Sequence, residues 1–445
     1  MSHAPDSNDR STSDEPIEGS YFVSTYPPFS TWTREQVAAA RRRLDEPKPR
    51  RPDVAFGLYV HVPFCAERCR YCYYLSYTGK SADDVDEYIQ ALAAEASMYA
   101  RLPALANRKP SFVYFGGGTP SLPSEVAIEH MIQGVRAAFP WTDAEEVTFE
   151  CAPQSVTEAK LRLLEHEGVT RISMGVQAFD DAILELNGRV HLVRDVELAY
   201  AAIRRVGFAT VNIDLIVGLL GESDESFGDT VDRAIQMAPE SVTIYQLEIP
   251  LNTPLYRAMQ GGRLSQPPPS WEVKRARLAA GFERLEHAGY VVRSAYAAVR
   301  DPGRHPFVYQ DAQYSGADLL GIGVASFSYL DGVHHQNIAS LGSYIASVRR
   351  GELPMGRAYA LSDDDRVVRE FVLQLKLGHV ESARFRAKFG VEITDRFGDA
   401  LRGFAEKGWC VVDNDGVTLT RDGLLRVDRM IPEFYPIRHQ NVRYS

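Results

Sequence analysis

From Ala55 onward, short runs rich in apolar and β-branched residues alternate with longer stretches of helical period. The strand-like runs are FGLYVHV (56–62), SFVYFG (111–116), EVTFE (146–150), RISMGV (171–176), TVNIDLIVG (210–218) and SVTIYQL (241–247). Between them, the spacing predicts helices at 83–101, 125–138, 158–167, 194–206 and 225–237, with a longer one at 271–288 after the last strand. In 194–206 the apolar residues Val196, Ala199, Ile203 and Val206 share one face. Gly168 and Gly207 stand where two of these helices should stop. A repeated strand–helix unit predicts parallel strands joined by right-handed crossovers. Six such units are too few to close an eight-stranded barrel. The expected fold is therefore α/β, a partial (β/α)6 TIM-like barrel.

The two ends read differently. Residues 1–20 are rich in Ser, Asp and Pro without periodicity and are expected to lack structure. Residues 21–53 form an aromatic-rich arm and a Pro/Arg linker, 54–300 the barrel, and 301–445 a C-terminal region. Within the last, helices at 363–377, 394–407 and 422–430 surround a hairpin signalled by Asn414-Asp415-Gly416, the pattern of a small winged-helix-like module. With 49 Lys and Arg against 59 Asp and Glu, the net charge of −10 disfavours a nucleic-acid binder, so the module is expected to cover the barrel mouth. No apolar run reaches membrane-spanning length and the first residues hold no apolar signal core, so a cytoplasmic protein without a membrane contact is expected. At 445 residues there is room for two or three domains.

Cysteine usage changes the picture. There are five, an odd number and far too sparse for a disulfide framework, and three of them fall within eight residues: Cys65, Cys69 and Cys72. This C-x3-C-x2-C loop directly follows the first strand. Three thiolates fill three corners of a 4Fe–4S cube and leave one iron open to a small ligand. A zinc site would need a fourth ligand close by, and His61 lies on the strand instead of in the loop. Cys151 and Cys410 read as small buried thiols.

Phe115-Gly116-Gly117-Gly118-Thr119-Pro120 ends the second strand, where glycines let the backbone approach a ligand. In barrels of this kind, ligands bind at the carboxyl ends of the strands. Glu150, Gln177, Asp214 and Gln246 stand there, one per strand, and the two acids suit hydroxyl or ammonium groups better than phosphates. No phosphate-binding loop or GxGxxG motif points to ATP or NAD.

HVPFCAERCRYC resembles the cluster motif of radical S-adenosylmethionine enzymes, and YFGGGTPS, RISMGVQAF, NIDLIVG, DLLGIG and VREFVLQLKLG are similar to their HemN-like branch. That branch holds oxygen-independent coproporphyrinogen III oxidases, HemW haem chaperones and HemN-like methyltransferases. The resemblance implies a 4Fe–4S cluster on Cys65, Cys69 and Cys72, with S-adenosylmethionine on the open iron and, in some members, a second S-adenosylmethionine. It implies S-adenosylmethionine contacts at Tyr59, Gly117, Gly118, Thr119, Glu150, Gln177, Arg189, Asp214, Gln246 and Phe327, the last two by position alone. It also implies a HemN-like C-terminal module, a small-molecule substrate, and a flavodoxin or ferredoxin as electron donor. Reductive cleavage to a 5′-deoxyadenosyl radical is the implied chemistry, and Tyr73 is a candidate to stack on adenine.

Two signatures within the branch are missing. The oxidases carry an extra cysteine two residues after the cluster motif, where this chain has Tyr74. The chaperones carry His-Asn-x-x-Tyr-Trp before the Asp-x-x-Gly segment, where this chain has Tyr309-Gln310-Asp311-Ala312-Gln313-Tyr314. His334 and His335, the remaining haem-ligand candidates, read as surface residues of a turn. By elimination the expected reaction is methyl transfer or cyclopropanation, with porphyrinogen oxidation and haem or cluster carriage as alternatives.

Overall fold

The computed structural model describes residues 15–17, 19, 22–47 and 53–440. Six parallel strands, β1 (Phe56–Val62), β2 (Phe112–Gly117), β3 (Glu146–Cys151), β4 (Arg171–Gln177), β5 (Thr210–Val217) and β6 (Ser241–Gln246), lie side by side in chain order. All six agree with the expected strands to within a residue, as do the five expected helices between them, while the short helix Asp181–Leu186 after β4 was not expected. Side-chain oxygens of Ser81, Ser124, Thr157, Ser223 and Ser270 accept backbone N–H groups at the helix starts, and Gly207 closes one helix at φ 95°.

The period-two pleat sorts the strand residues. Leu58, Val60, Val113, Phe115, Val147, Phe149, Ile172, Met174, Val211, Ile213, Val242 and Ile244 point outward and pack with Ile128, Leu161, Val196 and their neighbours on the surrounding helices. Each such side chain contributes roughly 1.5–3 kcal/mol of burial. The alternate positions face the barrel interior and include a polar set. Arg171 Nη2 donates to Ser241 Oγ at 2.8 Å, Ser241 Oγ to Asn212 Oδ1 at 2.8 Å, and Asn212 Nδ2 to Asp214 Oδ1 at 2.8 Å. A polar network thus fills the barrel beneath the rim where the chemistry was expected.

The sheet extends well past the six strands. A hairpin of β7 (Val291–Val292) and β8 (Ala297–Val299) adds antiparallel to β6. On the other edge β9 (Asp318–Ile322) pairs parallel with β1, and β10 (Phe327–Leu330), β11 (Val333–Asn337) and β12 (Met355–Ala360) continue antiparallel. The sheet has 12 strands with β12 and β7 at its ends, so it stays an open barrel. A boundary at residue 300 therefore cuts through the sheet.

The C-terminal module begins at the helix Asp363–Leu375. It adds helices Ser382–Phe389 and Ile393–Glu406 and a three-stranded sheet of β13 (His379–Glu381), β15 (Gly416–Leu419) and β14 (Cys410–Val412). A Cβ at Gly416 would lie 1.9 Å from the Val380 carbonyl oxygen, so this close strand crossing requires glycine. The helix expected at 422–430 is broken into Arg421–Leu424 and Val427–Met430. The module has its own core, centred on Phe371 stacked on Phe397 at 4.0 Å.

The N-terminal arm joins this core through fully buried Val23 and Tyr26, and Tyr26 donates its hydroxyl to Asp365 at 3.0 Å. Glu15–Ile17 and Gly19 fall in the stretch expected to lack structure, yet they are docked. Trp271 Nε1 donates to the Pro16 carbonyl at 2.9 Å, and Gly19 N–H to that of Ile249 at 2.9 Å. Residues 1–14 and the linker at 48–52 lie outside the described residues. His334 and His335 correct another expectation. They are buried in β11, with His334 stacked on Trp32 and His335 on Tyr99, and burial pushes both imidazoles well below the ordinary range. Among the described residues, no helix is long and apolar enough to cross a membrane.

Candidate active site

The cysteine loop leaves β1 and is tied down on both sides. Cys65 N–H donates to Tyr77 O at 3.0 Å and Tyr77 N–H to Pro63 O at 2.7 Å, while Arg70 N–H reaches Asn187 O at 3.2 Å. All three cysteines are free and half-buried. Thr119 Oγ1 donates to Cys65 Sγ at 3.6 Å, and Arg189 Nη1 to Cys69 Sγ at 3.3 Å. Burial pushes the Cys65 thiol up and the Cys72 thiol up to about 11.

A cavity of about 460 Å³ opens from these sulfurs across the carboxyl ends of the strands. Gly117 and Gly118 form one wall. A side chain at Gly118 would meet Phe64 O at 2.8 Å and Val62 O at 2.9 Å, and Gly117 has φ +116° with the His61 ring against it. Glu150 accepts from Tyr114 Oη at 2.7 Å and from Gly117 N–H at 3.1 Å, and burial pushes its carboxyl up to about 7. Asp214 accepts from Ser173 Oγ at 2.8 Å and from Asn212, and burial raises it to about 6. Among the described residues neither carboxylate has an ion-pair partner, so both suit a cationic or hydroxyl-bearing ligand.

Gln177 takes φ +71° where the β4–β5 register slips, which turns it beside Arg189; Arg189 Nη2 donates to Gly175 O at 2.8 Å. Gln246 Nε2 donates to Leu425 O at 3.2 Å, and its buried Oε1 has no hydrogen-bond partner. Tyr59 and Thr119 complete the wall. Nine of the ten expected cofactor-contact residues therefore meet in one cavity. Phe327 does not: it lies in β10, stacked on Phe29 at 4.1 Å, because the Gly323–Ser326 turn before it carries the chain away from the rim. Cys151 is buried at the cavity's edge and pushed up to about 12, and Cys410 is buried in the C-terminal module.

Sequence reasoning singled out Tyr59 and Tyr73 but missed the rest of the aromatic wall. Tyr59, Tyr114 and Tyr309 run in series, with ring centroids 6.0 and 4.5 Å apart, Tyr73 stacks on Tyr74 at 4.7 Å, and Tyr245 stacks on Tyr296 at 5.8 Å. The inward pleat position of Tyr114, shared with Tyr59, was the available signal. Trp271, Arg275, Arg426 and Arg429 also line the cavity, the last two from the C-terminal module.

Residues 59–234 match the Radical SAM superfamily and residues 361–426 the HemN C-terminal domain. The heme chaperone HemW of Mycobacterium tuberculosis (strain ATCC 25618 / H37Rv) is 30% identical over 363 residues, 79% of this chain and 91% of that protein. The chain belongs to the HemN-like branch of the radical S-adenosylmethionine superfamily. The oxygen-independent coproporphyrinogen III oxidase of Escherichia coli (strain K12) is 26% identical over 408 residues, 88% of each chain. The solved structure of coproporphyrinogen III oxidase (HemN) from Escherichia coli, a radical SAM enzyme, superimposes with TM-score 0.81 at 25% identity, covering 94% of this chain and 99% of that one. This HemN-like protein is a radical S-adenosylmethionine enzyme with a 4Fe–4S cluster and S-adenosylmethionine as cofactors, and it requires a substrate and an electron donor. The three free thiols on the cavity wall and the two half-buried carboxylates without ion-pair partners, Glu150 and Asp214, fit that pair of cofactors.

Proposed function

We propose that this HemN-like protein is an oxidoreductase that oxidatively decarboxylates a propionate side chain of a porphyrinogen-class substrate. The observation carrying this reading is the make-up of the cavity wall, which gathers the cysteines, Glu150 and Asp214, several tyrosine rings and the guanidinium groups of Arg275, Arg426 and Arg429 around one space. Flat aromatic faces suit pyrrole rings, and guanidinium groups suit propionate carboxylates. Similarity to the oxidases over 88% of the chain, C-terminal module included, adds support.

A bound, reduced cluster would supply the electron for reductive cleavage of S-adenosylmethionine. In this reading Cys65, Cys69 and Cys72 would hold the cluster and Arg189 would offset the negative charge of their thiolates. Glu150, oriented by Tyr114 and Gly117, and Asp214, oriented by Ser173, accept hydrogen bonds from ammonium and hydroxyl groups of S-adenosylmethionine. Gly117, Gly118, Thr119, Tyr59, Gln177 and Gln246 shape the same pocket, and the tyrosine wall keeps water from the reacting carbon. Loss of hydrogen and then carbon dioxide from the side chain leaves one electron over. An external one-electron acceptor is therefore needed besides the donor, for which a flavodoxin or ferredoxin is the expected class.

Tyr74, standing where the oxidases carry a cysteine, favours a second reading: methyl transfer or cyclopropanation with a second S-adenosylmethionine as carbon donor. The absence of histidine from Tyr309–Tyr314 weighs against haem carriage. Anaerobic turnover of the reconstituted protein with dithionite, S-adenosylmethionine and coproporphyrinogen III tests all three. Methionine, 5′-deoxyadenosine and carbon dioxide with a vinyl product support decarboxylation. S-adenosylhomocysteine or methylthioadenosine supports the second reading, and no 5′-deoxyadenosine at all points to a carrier.

A further inference from the structure

Arg275 on the helix Trp271–His287 and Arg429 on the helix Val427–Met430 converge over the Trp271 ring, their guanidinium carbons 5.8 and 5.3 Å from its centroid. Both line the cavity. Arg275 is only 8% exposed, and its Nε is buried without a hydrogen-bond partner. Such a guanidinium is rarely left facing a cavity unless an anion completes it.

One anion is already in place. Glu15 Oε2 lies 2.7 Å from Arg275 Nη2 and 3.9 Å from Arg429 Nη2. It comes from the N-terminal arm, not from the barrel or the module. The same stretch is pinned by Trp271 Nε1 and Arg429 Nη2, which donate to Pro16 O at 2.9 and 3.3 Å. Two further carboxylates of the cavity lining are engaged elsewhere: Glu248 accepts from Phe22 N–H, and Asp428 pairs with Lys376 at 3.0 Å. Arg426 is tied to Asp422 at 3.1 Å.

We propose that Arg275 and Arg429 form a carboxylate-binding subsite for the substrate, and that Glu15 is an intramolecular stand-in which a substrate carboxylate displaces. This rests on the reading above that the substrate carries carboxylates, and it names which residues hold one of them. Displacement exchanges one charge-assisted pair for another, so the arm selects for acidic substrates and closes the subsite when none is bound.

The test uses the full chain and fluorescence titration with coproporphyrin III and its tetramethyl ester. Removing the competing carboxylate in Glu15→Ala should tighten coproporphyrin binding by about 10-fold, the effect of one such pair, and leave the ester unchanged. Arg275→Gln should weaken the acid selectively, and the double variant should show no gain from Glu15→Ala. Equal affinity of wild type and Glu15→Ala for the acid, or an equal gain for the ester, overturns the subsite. If coproporphyrin binds neither protein, the porphyrinogen reading fails by itself, and 2-naphthoate decides the subsite. Tighter naphthoate binding in Glu15→Ala supports it, and unchanged binding overturns it.

Discussion

Arg189 donates Nη1 to the sulfur of Cys69 at 3.3 Å while its Nη2 is anchored on the Gly175 carbonyl at 2.8 Å. The guanidinium is thus fixed on β4's carboxyl end and aimed at a cluster ligand. A cation hydrogen-bonded to a ligand sulfur stabilises the more negative, reduced cluster. Arg189→Gln is expected to lower the midpoint potential by about 60 mV, the one-electron equivalent of a hydrogen bond of about 1.4 kcal/mol. Redox titration followed by EPR reads this directly. An unchanged potential would show that the contact does not persist once iron is bound.

The Glu150 carboxyl is raised to about 7, by burial foremost, with the Tyr114 hydrogen bond pulling the other way. A cationic ligand prefers the ionised form, so affinity for S-adenosylmethionine should rise as pH increases from 6 to 8. Asp214, raised to about 6, contributes at the lower end of that range. Tyr114→Phe removes a hydrogen bond to the carboxylate and should move the midpoint upward, whereas Glu150→Gln should flatten the profile. Calorimetric binding at several pH values, under anaerobic conditions, separates these outcomes.

At Gly118 an added methyl group has no room, because the two nearest atoms are backbone oxygens of the strand and loop that lead into the cysteines. Gly118→Ala is expected to cost about 1–3 kcal/mol and to displace the cysteine loop. Thermal unfolding would report the first effect, and iron and sulfide content after reconstitution the second. Gly207→Ala, at a helix end with nothing within 4 Å of the added Cβ, should lower stability through its positive φ while leaving iron content unchanged.

The barrel was legible because its rules are local. Alternation in β1 to β6 and Ser or Thr at the helix starts specify elements without reference to the rest of the chain. The cysteine spacing and the rim residues follow from the same elements, since a residue at a strand end must face the mouth. What escaped were non-local pairings. Nothing in DLLGI announces that β9 will pair with β1 more than 250 residues away, and the short strands β10 to β12 follow from that docking. His334 and His335 looked like turn residues for the same reason, as their burial depends on Trp32 and Tyr99 arriving from distant segments. The cationic part of the cavity wall was equally hidden. Arg275, Arg429 and Glu15 belong to three separate parts of the chain, and only the closed fold brings them together.

Glu95 links the helix Ala82–Ala100 to the turn after β9, accepting from Gly323 N–H at 2.8 Å and from the side chains of Tyr344 and Asn337. It is fully buried, and desolvation raises its carboxyl to about 7 in spite of these donors. In the unfolded chain the same group titrates near the ordinary glutamate value of about 4.3. Between those two values the folded state holds a proton that the unfolded state has lost, so stability falls as pH rises through that window. Over the whole interval the loss attributable to Glu95 is on the order of 3 kcal/mol. Glu95→Gln cannot ionise and should remove this slope while retaining acceptors for Gly323 and Tyr344. Denaturant unfolding at pH 5, 6, 7 and 8 gives the comparison: wild type should lose stability relative to Glu95→Gln up to about pH 7 and run parallel to it above.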